Sequence, residues 1–124
     1  MDTIFLDLEC VACHGLTEKE QIVDQKFEVA VEVDVPVTVT ENAAETDDIA
    51  ATVDYRKLRA IVKAVFAESP HNLLETLANR IANSILGSNA GICAVRVSIR
   101  KPDIWEKGCP GVLVRRERKG EILS

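Results

Sequence analysis

The sequence predicts an α+β domain with the element order ββααββ, in which a four-stranded antiparallel sheet carries two helices packed on one face. Two observations lead to this prediction. Two segments near each end of the chain alternate apolar and polar residues, as half-buried strands do. Two central segments repeat apolar residues at helical spacing. The opposite sheet face, with acids on the second strand and arginines on the third, is left for solvent or another subunit.

Composition and charge limit the possible classes of protein. A chain of 124 residues with 47% hydrophobic content predicts a single domain, assigned to residues 1–118, with 119–124 as a frayed C-terminal tail. The net charge of -5 argues against nucleic acid or an anionic membrane surface as a partner. The first residues include no basic region, so neither a signal peptide nor a membrane span is predicted, and we expect a cytoplasmic location with reduced thiols.

The first two strands are predicted to form an antiparallel hairpin. Alternate residues from Ile4 to Ala12 are apolar, and the pattern ends at His14-Gly15. A polar connection, 16–24, leads to a second strand, in which alternate residues from Phe27 to Val37 are apolar. Pro36 lies late in this strand and indicates an edge strand, because proline cannot donate a ladder hydrogen bond.

The first helix is predicted to follow a loop rich in turn formers and acids, 40–51. Asp54 is a suitable N-cap, and Ser69-Pro70 ends the helix. The predicted core face comprises Tyr55, Leu58, Ile61, Val62, Val65 and Phe66.

The clearest helix in the chain is predicted over residues 72–87. Asn72 is a suitable N-cap, Glu75 stands three residues later as in a capping box, and Gly87 is a typical stop. Because a short turn separates the two helices, they are expected to be antiparallel neighbours. The apolar stripe comprises Leu74, Leu77, Ala78, Ile81, Ala82 and Ile85.

The third strand, from Ile92 to Lys101, places a lysine on its core-facing side. Burying an ammonium group is costly without a partner, so this position is unusual. Pro102 ends the ladder, 103–111 forms a loop with the only tryptophan, and 112–116 forms the fourth strand.

Cys10 to His14 has the letters of a c-type haem attachment site. Against that interpretation, the only methionine is Met1, which leaves no methionine for an axial ligand. Residues i and i+3 of a strand also point to opposite faces, which separates Cys10 from Cys13. A zinc site built from the four cysteines is similarly weak, because the second pair lacks the usual close spacing. Packing of small apolar thiols is the favoured explanation.

Four polar residues stand out as candidate functional groups. Glu20 has an ordinary explanation as an exposed loop acid, Tyr55 as an amphipathic residue in a first helical turn, and Glu75 as a helix cap. Lys101 is harder to explain as a structural residue, because its parity directs it at apolar surface.

The order and spacing of several segments resemble those of dihydroneopterin aldolases, the lyases of the folate pathway, from Met1 to about Arg118. No segment is specific alone. The segments are His14-Gly15; Glu20 before Gln25-Lys26-Phe27; Thr52-Val53-Asp54-Tyr55; Asn72-Leu73-Leu74-Glu75; and Lys101-Pro102 before Gly111-Val112. Two features depart from the family pattern: Cys13 replaces a common aromatic residue, and the loop 103–110 is particular to this chain.

The resemblance implies the tunnelling fold, in which subunits join their sheets into a barrel-like tetrameric ring that commonly stacks to an octamer. It implies active sites between subunits and a pterin substrate, 7,8-dihydroneopterin, cleaved by a retro-aldol reaction to 6-hydroxymethyl-7,8-dihydropterin and glycolaldehyde. The pterin's own N5=C6 imine serves as the electron sink. The resemblance therefore implies no cofactor, no metal and no lysine Schiff base.

The resemblance also implies a role for each matching residue. Lys101 would exchange protons with N5 through a water, Tyr55 from a neighbouring subunit would serve proton transfer at the side chain, and Glu20 would hold the hydroxyl groups. Substrate binding would further involve Glu75 at the pterin's N–H edge and backbone groups near Val53, Leu73 and Leu74.

Other interpretations of the site remain open at this point. An epimerase of the same superfamily, acting on dihydroneopterin or its triphosphate, would use the same residues, because epimerisation at C2′ is cleavage followed by re-addition. A non-catalytic pterin-binding module of the same fold is a second possibility, and a haem or metal protein is a remote third.

Overall fold

The computed structural model describes residues 1–119 and confirms the α+β fold class. The four strands form one antiparallel sheet in the order β1-β2-β3-β4. Two long helices pack on one face of this sheet, as predicted. The elements are β1 (Asp2–Ala12), α1 (Glu18–Ile22), β2 (Gln25–Val35), α2 (Val37–Thr46), a 3₁₀ turn (Ile49–Ala51), α3 (Tyr55–Phe66), α4 (Leu74–Ser88), β3 (Ala94–Arg100) and β4 (Gly111–Glu117).

The register of the sheet follows the alternation of the sequence. β1 and β2 pair along their whole length, from Asp2 opposite Val35 to Ala12 opposite Gln25. β2 also pairs with β3, so it is a central strand, and the expectation of an edge strand is wrong. The reason is that β2 ends at Val35, and Pro36 stands outside the ladder as the residue preceding α2.

The core lies between the sheet and the helices α3 and α4. Inward residues of β2 and β3 are fully buried, whereas β1 and β4 at the edges are only partly covered. The helices contribute the apolar stripes expected from their spacing, with one exception. Tyr55, predicted on the core face of α3, is exposed, because it is the first residue of the helix and lies at the end of the packed stripe. The largest fully buried apolar side chains are Phe27, Leu58, Leu77, Ile81, Ile85, Ile92 and Ile99.

Two short helices were not predicted. α1 lies in the connection 16–24, where a five-residue helix is too short to show an apolar repeat. α2 includes Val37, which was assigned to the second strand, and most of the predicted loop 40–51. Pro36 removes the ladder donor, so the chain turns into a helix despite the β-branched residues Val37 and Val39. Asp47, in the left-handed conformation at φ 54°, ends α2.

The C-terminal end of the described chain is tied to the domain. The Arg118 guanidinium donates to the carbonyl oxygens of Leu86, Asn89 and Ile92. The tail predicted at 119–124 lies outside the described residues, apart from Lys119. Within residues 1–119, no helix combines the length and the apolar character that crossing a bilayer requires.

Candidate active site

Lys101 and Glu20 form a shielded ion pair at one end of the domain. The Lys101 Nζ donates to the Glu20 Oε2 over 2.8 Å, and their side chains are 10% and 19% exposed. The two residues are 81 positions apart in the chain. Both were predicted as catalytic residues, and the structure brings them together. Such a pair supplies an acid and a base side by side in a protected place.

Strand parity places Lys101, as the sequence predicted. The residue follows β3 directly, and its side chain lies over the ring of Phe27, with the Nζ 5.8 Å from the ring centroid. Its backbone N–H donates to the Pro110 carbonyl oxygen over 3.0 Å, which closes the β3–β4 loop. An ammonium has three donors. Glu20 is the one side-chain acceptor for it among the described residues, so donors remain for a ligand or water.

Glu20 is held by a capping box at the start of α1. Thr17 is the N-cap, and its hydroxyl accepts from the Glu20 N–H while the Glu20 Oε1 accepts from the Thr17 N–H. Gly15 lets the glutamate approach the backbone, because a Cβ at this position would lie 2.5 Å from the Glu20 Cβ. The ordinary explanation of Glu20 as an exposed loop acid therefore does not hold.

The charge state of Glu20 follows from these contacts. The hydrogen bond from Lys101 is the main cause that holds the pKa of Glu20 below its ordinary value. Burial opposes this by raising the pKa, and hydrogen bonds from Thr17 lower it further. Glu20 is thus a carboxylate at neutral pH and accepts hydrogen bonds only.

The start of α4 differs from the prediction. The helix begins at Leu74 with Leu73 at the N-cap position, and no side chain caps it, so the predicted capping box of Asn72 and Glu75 is wrong. The Asn72 Oδ1 instead accepts from the Gln21 Nε2 over 2.7 Å. Glu75 is exposed, and within residues 1–119 its carboxylate has no hydrogen bond or ion pair. Glu75 lies in the first turn of α4, where the helix dipole favours a negatively charged side chain.

Three polar residues that the sequence analysis did not select organise this end of the domain. The His14 Nε2 bonds the Phe66 carbonyl oxygen at 2.9 Å, and its Nδ1 accepts from the His71 N–H at 3.0 Å. The Gln25 Nε2 donates to the His14 and Glu20 carbonyl oxygens. Gln21 links α1 to the segment before α4. In the sequence, His14 and Gln25 stood only among the segments that carry the family resemblance, and no local pattern distinguished Gln21.

The remaining predicted residues lie at the other end of the domain. Tyr55 begins α3 and is 59% exposed, whereas Phe66 at the opposite end of α3 contacts His14 beside the ion pair. A helix of this length separates its ends by about 16 Å. Val53 is buried beside a groove of about 370 Å³ that also includes Ser88 and Asn89. One chain therefore does not join Tyr55 and Val53 to Lys101.

The solvent-facing space beside Lys101 is a shallow groove of about 240 Å³. It lies between the start of β2 and the β3–β4 loop, so this loop forms part of its wall. Two apolar side chains of this loop, Ile104 and Trp105, are exposed. The lining residues are Asp24, Gln25, Lys26, Lys101, Asp103 and Ile104.

The cysteines are dispersed in the structure. Cys10 is buried in the core, and the Cys13 Sγ bonds the Asp24 carboxylate at 3.1 Å. His14 uses both ring nitrogens within the fold. Within residues 1–119, no group of three or more His, Cys, Asp and Glu side chains is placed to hold a metal ion.

Comparison with known proteins agrees with the fold and with the family resemblance. The family described as FolB, dihydroneopterin aldolase, matches residues 4–115. The dihydroneopterin aldolases of Bacillus subtilis (strain 168) and Streptomyces coelicolor are 31% and 38% identical to this chain over 104 residues, which are 83% of this chain and 84% of each relative. A crystal structure of dihydroneopterin aldolase from Burkholderia thailendensis bound to guanine aligns with a TM-score of 0.81 at 28% identity, covering 95% of this chain and 92% of that chain. The chain belongs to the dihydroneopterin aldolase family.

Proposed function

We propose that this enzyme cleaves the C1′–C2′ bond of 7,8-dihydroneopterin. A base removes the proton of the 2′-hydroxyl, the bond breaks, and glycolaldehyde leaves. The electron pair moves into the N5=C6 imine as N5 takes a proton. Protonation of C1′ and loss of the N5 proton then give 6-hydroxymethyl-7,8-dihydropterin. The observation that carries the proposal is the shielded Lys101–Glu20 pair, which offers acid–base chemistry at the end of the core.

The ion pair supports different roles for its two members. Lys101 has donors left over after its bond to Glu20, so it suits proton exchange with N5 through a water. Glu20 accepts hydrogen bonds only and suits the substrate hydroxyl groups. Tyr55, exposed at the start of α3, would supply proton transfer at the side chain from a neighbouring subunit.

Substrate orientation is assigned to the start of α4. The Glu75 carboxylate has no partner among the described residues and would accept the two N–H groups at the pterin's pyrimidine edge. Guanine carries the same amino-oxo pyrimidine edge as a pterin, and the Burkholderia relative binds guanine. Backbone groups of Leu73, Leu74 and Val53 would complete the pocket around the ring.

Subunit assembly is proposed to complete the site. Tyr55 and Val53 lie at the end of the domain opposite to Lys101, so a second chain has to bring them to the ion pair. β1 and β4 both leave a strand edge open, and Phe5 and Leu113 on them are 67% and 69% exposed. We propose that these edges join neighbouring subunits into a tetrameric ring, which stacks to an octamer.

Product analysis tests the proposed function. Purified protein, without added metal or haem, is incubated with 7,8-dihydroneopterin, and glycolaldehyde and the pterin products are measured. We expect glycolaldehyde and 6-hydroxymethyl-7,8-dihydropterin in equal amounts. A 2′ epimer without glycolaldehyde would assign the chain to the epimerases instead. Pterin binding without any product would show that the chain is a non-catalytic pterin-binding module.

A further inference from the structure

Packing contributes little to the position of Glu20. The helix α1 that carries it has five residues, and none of them is buried. A helix this short is not stable by itself in water. Polar contacts therefore have to fix its position relative to the rest of the site.

The side-chain amide of Gln21, the neighbour of Glu20, makes two of these contacts. Its Nε2 donates to the Gly15 carbonyl oxygen at 2.9 Å and to the Asn72 Oδ1 at 2.7 Å. Because a carbonyl oxygen only accepts, the contact with Gly15 identifies the nitrogen side of the amide. Both donor hydrogens of Gln21 are thus used, one of them on a residue 51 positions away.

The backbone beside these contacts makes a parallel connection. The Gly15 N–H donates to the His71 carbonyl oxygen at 3.0 Å, and the His71 N–H donates to the His14 Nδ1 at 3.0 Å. His14 is buried and also bonds the end of α3. We call His14, Gly15, Gln21, His71 and Asn72 the α1–α4 clip.

We propose that the α1–α4 clip sets the distance between the Glu20–Lys101 pair and the start of α4, and that Gln21 is a positioning residue for the cleavage step. The proposal rests on the proposed function. Gln21 adjoins Glu20 in the chain, and Asn72 stands three residues before Glu75. The clip therefore joins the group that acts on the substrate side chain to the group that holds the pterin ring. Displacements of about 1 Å between such groups strongly reduce turnover.

Substitution of the amide pair separates this role from general stability. Gln21→Met keeps the length of the side chain and removes both donors, and Asn72→Leu removes the acceptor. We expect kcat to fall about tenfold in each variant, because the reacting groups lose their alignment. The affinity for the oxidised analogue neopterin, measured by calorimetry, should change less than about threefold, because Glu75 still holds the ring. Asn42→Leu, on the exposed surface of α2, is the matched control and should keep kcat.

The double variant provides the decisive comparison. Because Gln21→Met already removes the contact with Asn72, the double variant of Gln21→Met and Asn72→Leu should lower kcat about as much as Gln21→Met alone. Losses of kcat that multiply in the double variant would overturn the proposal, as would an unchanged kcat in Gln21→Met.

Hydrogen exchange gives a readout that does not depend on activity. Amides of residues 15–23 should exchange faster in Gln21→Met than in the unmodified protein. Unchanged exchange would overturn the proposal that the clip holds α1 in position. Failure of the proposed function is a separate result, because it would appear as absence of glycolaldehyde in the unmodified enzyme. The exchange measurement would still show whether Gln21 ties α1 to α4.

Discussion

At the residue scale, the position of Lys101 depends on one property of a strand. Side chains alternate between faces, so the residue after Arg100 continues the inward row of β3. The structure pairs its charge with Glu20 and places its Nζ over the ring of Phe27. The alternation that directs the apolar residues of β3 into the core therefore also places the Lys101 ammonium at the end of the core.

Substitution of Lys101 tests its proposed role in proton exchange. Lys101→Met keeps an unbranched apolar side chain and removes the donors, so we expect kcat to fall by about 10²–10⁴. Neopterin binding, followed by calorimetry, should persist because the ring is held at α4. Lys63→Met, on the exposed face of α3, is the control. Near-normal turnover in Lys101→Met would remove the residue from the mechanism.

A second residue-scale prediction concerns acid stability. Asp34 accepts two hydrogen bonds of 2.8 Å from the Arg96 guanidinium, and this is the main cause that lowers its pKa from 3.8 to about 2. A lowered pKa stabilises the fold above pH 3.8, and that stability is lost as the pH falls from 3.8 to about 2. Asp34→Asn should therefore lower the free energy of unfolding by about 1–2 kcal/mol at neutral pH.

Urea unfolding at several pH values measures this effect. The difference between Asp34→Asn and the unmodified protein should shrink as the pH falls toward 2. Glu117→Gln, which removes an exposed pair with Arg115 on the same sheet face, should change the free energy of unfolding by less than about 0.5 kcal/mol. A constant difference at all pH values would show that ionisation of Asp34 is not the cause.

At the element scale, helix ends follow tertiary contacts more than local signals. The sequence placed an N-cap at Asn72 and a stop at Gly87, but α4 runs from Leu74 to Ser88. Gln21 engages the side chain of Asn72, and Gly87 continues the helix on the exposed side. α1 likewise forms around a capping box, although its segment has no apolar repeat.

Two glycine substitutions test this view of the elements. Nothing lies within 4 Å of a Cβ at Gly87, so Gly87→Ala should stabilise α4 by about 0.5–1 kcal/mol by reducing the freedom of the unfolded chain. Gly111→Ala should destabilise the protein, because its Cβ would lie 2.5 Å from the Ile99 carbonyl oxygen. Midpoints of urea unfolding compare the two, and a destabilised Gly87→Ala would contradict the assigned course of α4.

At the scale of the whole molecule, the predicted site is divided between two ends of one domain. Lys101, Glu20 and the start of α4 share one end, whereas Tyr55 and Val53 share the other. In an antiparallel helix pair, the start of one helix lies beside the end of the other, so this division follows from the fold. A closed ring would place complementary ends together at each interface.

Mixed assemblies test the shared site. Tyr55→Phe and Lys101→Met chains, refolded together, should recover about a quarter of normal turnover if chains mix at random and each site takes one residue from each neighbour. The control mixes Lys101→Met with Glu20→Gln, which belong to the same half of the site, and should recover nothing. Equal recovery in both mixtures, or none in either, would contradict a site between subunits.

The sequence by itself determined the fold class, the inward rows of the sheet, the core faces of α3 and α4 apart from Tyr55, and the burial of Lys101. These follow from periods of 2 and 3.6 residues, which are local properties of the backbone. Only the tertiary structure decided that β2 is central, that Glu20 is the partner of Lys101, and that Asn72 bonds Gln21 rather than capping α4. Each of these depends on contacts between residues far apart in the chain. A local sequence pattern does not specify which distant residue will be the hydrogen-bond partner of a given side chain.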